Sequence, residues 1–117
     1  MKLAPVLWSA LGLAACQPAP SVQTTAAQRE MPGFAMAQQH CASCHAVERY
    51  GDSTNPNAPP FARVVNQPGL TRETLSWWLR DAHNYPQEMR FDLDPLAVAQ
   101  LTDYMLTLRD PDYRPPI

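Results

Sequence analysis

Cys41-Ala42-Ser43-Cys44-His45 is the stretch on which the reading of this chain turns. Two thiols three residues apart lie about one helical turn from each other, so both can reach one edge of a bound group. The imidazole of His45 follows directly. Together these residues use two of the three cysteines in the 117-residue chain. Three chemistries compete for such a pattern, each against an objection. A zinc knuckle needs four N or S ligands, and beyond the stretch only His40 and His83 are on offer, with no second Cys-x-x-Cys. A thioredoxin-like redox pair belongs to a strand–helix–strand pattern, and no strand pattern precedes Cys41. A disulfide between residues three apart in a helix is strained.

The fourth reading meets none of these objections. Cys-x-x-Cys-His is the signature of covalent c-type haem attachment. The thiols of Cys41 and Cys44 form thioethers with the vinyl groups on one haem edge, and His45 falls beneath the iron as proximal ligand. One haem c is therefore the expected cofactor, with the protein tuning the chemistry that the haem carries.

The chain allows one domain at most once its termini are set aside. It opens on Met1-Lys2 and an apolar run over 3–15, too short to span a bilayer and read as a secretory signal. That run ends in Leu13-Ala14-Ala15-Cys16, which resembles the lipobox of bacterial lipoproteins. The resemblance implies cleavage before Cys16 and lipidation of its thiol. An ordinary signal cut elsewhere would instead leave Cys16 a spare thiol in an oxidising compartment. With Cys16 lipidated, one cysteine serves the anchor, two the haem and none a disulfide. Both assignments require export, so the expected location is the bacterial periplasm, with a lipid anchor in the membrane. Residues 16–30 are rich in Pro, Ala, Ser, Thr and Gln with few large apolar side chains, and are expected to be a flexible tether. Residues 31–117 are the expected folded domain, small enough to need the apolar mass of a haem in its core.

The only lysine is Lys2, and from Cys16 onward eight arginines face eleven acidic residues, a net charge of −3. No basic run exists, which argues against nucleic acid as a partner. A docking face without lysines is expected to be apolar with arginines at its rim.

The domain reads as all-α, three or so helices joined by long loops that wrap a haem. The first helix is expected over 32–44, opened by Pro32, with Gly33 and Ala37 on one face. Turn-forming residues fill 51–57, followed by Ala58-Pro59-Pro60-Phe61 and a short Val64-Val65 stretch. Thr71 is the expected cap of a helix carrying Leu75, Trp78 and Leu79 on one side, which should end before Pro86. Asp94 caps the last helix, Pro95 opens it, and Val98, Leu101, Tyr104, Met105 and Leu108 form its apolar stripe up to Arg109.

Taken in order, these features resemble the class I cytochromes c over most of the expected domain. In that family a glycine stands eight residues before the first haem cysteine, as Gly33 does. An aromatic residue of the last helix crosses that glycine, a position matched by Tyr104. A proline carbonyl in the loop after the motif accepts the proximal imidazole N–H. Pro59 is the better match for that role and Pro60 the alternative. The family's second iron ligand is a methionine between the last two helices, matched by Met89, 44 residues after His45. Met36 lies on the thioether side of the haem, Met105 fits the stripe of the last helix, and Met31 would have to fold back. Many family members have proline directly after the ligand methionine, whereas Arg90 follows here, so His83 stays open as a bis-histidine alternative.

Phe61, Val64, Leu75, Trp78 and Leu79 are expected to line the haem pocket, with Trp78 rather than Trp77 facing inward. Arg63, Arg72, Arg80 and Arg90 are candidates for pairing with the propionates or for ordinary surface positions. The resemblance implies an electron carrier, not an enzyme, whose partners are redox proteins and the membrane, with no small-molecule substrate. The competing readings are a peroxidase-like or gas-binding haem protein with an open or labile distal site, and a fixed haem subunit of a larger oxidoreductase.

Overall fold

The computed structural model describes residues 23–83, 87–90 and 92–115. The expected signal over 1–15, Cys16 and Phe91 lie outside the described residues. Within them the chain is all-helical: α1 (Ala26–Arg29), α2 (Pro32–His40), α3 (Phe61–Val65), α4 (Arg72–Trp77) and α5 (Pro95–Leu106). A π turn over Trp78–Ala82 continues α4, and a 3₁₀ turn covers Gln87–Met89.

The expected helix starts follow from their caps. The Asp94 carboxylate accepts from the backbone N–H groups of Leu96 (2.8 Å) and Ala97 (2.9 Å), and Pro95 takes the first helical position. Thr71 caps α4 in a reciprocal box whose partner is Thr74: each hydroxyl accepts from the other residue's N–H. Pro32 opens α2, which stops at His40, short of the expected Cys44. The carbonyl of Ala37 accepts from both Cys41 (2.9 Å) and Ala42 (3.0 Å), which ends the regular ladder. Cys44 and His45 then donate to the carbonyl of Cys41, so the Cys41–His45 stretch sits on a separate turn.

The principal packing contact between elements is α2 against α5. A Cβ on Gly33 would collide with the carbonyl oxygen of Gln100 and stand 2.7 Å from the Cβ of Tyr104, so only glycine allows this crossing. Tyr104, 0 % exposed, meets Phe34 edge-to-face at 5.3 Å between ring centroids. Its hydroxyl donates to the carbonyl of Val47 at 2.6 Å. Burial, reinforced by nearby Glu48, pushes the phenol pKa up to about 12. The whole expected stripe of α5, Val98, Leu101, Tyr104, Met105 and Leu108, is buried.

One expectation needs correction: Thr24 to Glu30, expected within the flexible tether over 16–30, dock onto the domain. Thr25 and Gln28 form a capping box, and the Gln28 amide donates to the carbonyl (3.0 Å) and hydroxyl (2.9 Å) of Thr107. Thr24 is buried, and its hydroxyl accepts from the Arg49 backbone N–H. Among the described residues, α1 and α3 are short turns added to the three longer helices, held by tertiary contacts and not by an apolar periodicity. Arginines remote in sequence satisfy carbonyls at the ends of α5 and α3. Arg49 donates to the carbonyl of Thr107 at 2.8 Å, and Arg109 donates to the carbonyls of Val65 and Leu70.

Gly33→Ala should cost about 1–3 kcal/mol by forcing α2 off α5, read as a fall in melting temperature of roughly 4–8 °C per kcal/mol. A melting temperature unchanged within about 2 °C would mean the crossing is not tight. For Tyr104 the folded pKa lies above the usual 10, so its contribution is complete below pH 10 and is lost as pH rises from 10 to about 12. Tyr104→Phe should lose about 1 kcal/mol at neutral pH and flatten that alkaline fall in the urea midpoint. Parallel curves for the two proteins would disprove the assignment.

Candidate cofactor site

The turn that follows α2 delivers Cys41, Cys44 and His45 to one cavity of about 460 Å³. That volume lies within the range of ligand pockets, roughly 300–1,000 Å³. Both cysteines are free thiols and half-buried. Burial, and secondarily the neighbouring Cys44, raises the Cys41 pKa to about 11, so this thiol is neutral at physiological pH.

His45 is oriented by the loop that follows it. Its Nδ1 lies 2.8 Å from the carbonyl oxygen of Pro59. A carbonyl can only accept, so Nδ1 carries the proton in this contact and Nε2 keeps the lone pair that binds a metal. An outer hydrogen bond of this type fixes both the tautomer and the ring plane of a metal-binding histidine. Pro59 thus stands where the resemblance put it, and Pro60 instead precedes the first turn of α3. Three backbone contacts pin the loop to the motif. Asn55 N–H donates to the Cys44 carbonyl (3.1 Å), Phe61 N–H to the Ala46 carbonyl (2.9 Å), and Ala46 N–H to the Ser53 hydroxyl (3.0 Å).

Met89 enters the same cavity from the 3₁₀ turn and is half-buried. Phe61, Val64, Trp78 and Leu79 line it as expected, and the Phe61 ring stands 5.7 Å from that of His45. Trp77 is 55 % exposed, so of the two adjacent tryptophans Trp78 is the one turned inward. Leu75 departs from expectation: it is buried in the core and not among the cavity's lining. Met105 is 1 % exposed and belongs to the core, with one side on the cavity. Met31 and Met36 pack against the core and do not line the cavity.

His83, the alternative ligand, also lines the cavity and is buried. None of Arg63, Arg72, Arg80 and Arg90 does. Arg72 pairs with Asp103 and Arg80 with Asp81, both on the surface. Sequence reasoning missed Ser43, Asn55 and Asn57, which join His40 among the polar residues lining the cavity. It also missed Leu93 and Leu101, which add to the apolar lining. The turn-forming composition of 51–57 marked a loop but carried no sign of which side chains it turns inward.

Chemically, the cavity is apolar over most of its surface, with two thiols, three imidazoles and two thioethers among its lining residues, and the His45 imidazole is the one oriented by Pro59. Among the described residues no three His, Cys, Asp or Glu side chains gather as a metal site. An iron held in a macrocycle needs only one or two protein ligands. This site can take a flat apolar group, fasten it by sulfur and ligate a metal at its centre. A scan against protein-family models, a search of curated proteins and a search of solved structures return no match to this chain.

Proposed function

We propose that this chain is a monohaem c-type cytochrome of the class I fold that carries single electrons between redox proteins. Cys41 and Cys44 hold the haem through thioethers, His45 is the proximal ligand and Met89 the distal one. When bound, the haem supplies one-electron iron chemistry. The chain's own residues do the rest. The Pro59 carbonyl keeps His45 in one tautomer, and Phe61, Val64, Trp78 and Leu79 exclude water from the ring faces. Thioether ligation raises the potential relative to a second imidazole. Saturating the iron also leaves no position for a substrate, which favours a carrier over an enzyme or gas sensor.

The observation that carries the reading is the contact of His45 Nδ1 with Pro59, made in a cavity that also takes in both thiols and Met89. A histidine packed only for structure has no need of a motif partner on this spacing. The Leu13-Ala14-Ala15-Cys16 segment supports export and a lipid anchor, and so a location in the periplasm at a membrane surface.

Oxidised protein should show low-spin haem that resists acid–organic extraction, with a methionine–iron charge-transfer band. Met89→Ala should abolish that band and lower the midpoint potential, while Met105→Leu keeps both. High-spin ferric haem in the wild type would instead favour an open-site enzyme or sensor. For the anchor, Cys16→Ser should release the protein from the membrane fraction into the soluble one. Continued membrane retention would disprove lipidation at Cys16.

A further inference from the structure

Beside the proposed ligands His45 and Met89, three further ligand-type side chains line the cavity: His40, Met105 and His83. His83 lines the same cavity as Met89 and is 3 % exposed. Its position is a product of the π turn over Trp78–Ala82. On a regular α-helix a residue five places on lies about 140° around the axis, and His83 would face away from Trp78. The wider i→i+5 turn brings residues five apart back toward one face. The rings of Trp78 and His83 accordingly stand 5.9 Å apart, and Trp78, Leu79 and His83 all line the cavity. Such turns interrupt a helix at a cost in hydrogen bonding and occur frequently at functional sites. Burial also lowers the His83 pKa below its usual 6.5. The neutral imidazole, the form that binds metals, therefore prevails at neutral pH.

We infer that His83 is a reserve ligand, which takes the sixth position on the iron when the Met89 thioether leaves it. The inference rests on the haem reading above. The exchange breaks one iron–sulfur bond and forms one iron–nitrogen bond, with no electron transferred and no proton released by the already neutral ring. Its consequence is that loss of Met89 lowers the potential but does not open the iron to peroxide or other small molecules.

The test uses the full-length holoprotein as wild type, Met89→Leu, His83→Gln and the double variant, each compared by ferric electron paramagnetic resonance and near-infrared absorption. Leucine conserves the volume of methionine, which protects the fold. The wild type and His83→Gln should both show the methionine band. Met89→Leu should be low-spin without it, and the double variant high-spin. A high-spin Met89→Leu protein, or one whose low-spin signal survives loss of His83, overturns the reserve role and leaves the haem reading standing. A wild type that lacks the methionine band and turns high-spin in His83→Gln makes His83 the resting ligand, and overturns both the Met89 assignment and the reserve role. Should the double variant not fold, carbon monoxide binding to ferrous Met89→Leu decides the matter. A rate that saturates with carbon monoxide concentration means an internal ligand must leave first, whereas a linear second-order rate overturns the proposal.

Discussion

The absence of a side chain at Gly33 allows α2 and α5 to touch, and the site depends on that contact. Because Gln100 and Tyr104 occupy the space a Cβ would need, the two helices are locked in register as well as in distance. Tyr104 extends the lock, reaching from the crossing to the carbonyl of Val47 two residues beyond His45. The helix that leads into the Cys41–His45 stretch, the chain just after it and the last helix are thereby tied together. A cavity lined from α5 and from the turn after α2 can keep its shape only if those two elements do not slide.

Around these elements the polar groups are satisfied in a way that leaves the cavity apolar. His45 spends Nδ1 on Pro59, Asp94 closes the start of α5, and Arg49 and Arg109 close chain ends on the outer surface. Among the described residues, no arginine or lysine lines it. The low polarity has an electrostatic corollary: a cationic metal centre placed there would gain little stabilisation of its charge from the surroundings, which favours its reduced form.

What was legible in the sequence was whatever is encoded over a few residues. The cap at Asp94-Pro95, the cap at Thr71, the stripe of α5 and the Gly33–Tyr104 pairing each rest on short-range chemistry or helical periodicity. The features that stayed hidden depend on partners remote in sequence. Gln28 reads as one more polar residue in a polar segment until Thr107, 79 residues away, accepts its amide. Arg49 likewise looks like a surface charge, yet it caps a helix 58 residues on. The π turn at Trp78–Ala82 was illegible for a different reason. Its composition suits an α-helix equally well, so the one-residue shift that brings His83 onto the cavity beside Trp78 left no sign in the sequence.

The docking of Thr24 to Glu30 against the end of α5 also limits how far this domain could travel. With that segment bound, Cys16 and Thr24 are eight residue steps apart in the chain. Fully stretched, such a leash spans at most about 28 Å. On the proposed anchoring at Cys16, the domain could turn freely at the bilayer surface but could not rise much further from it than its own width. Its electron donors and acceptors would then be sorted by height, limited to those whose exchange sites open close to the lipid headgroups.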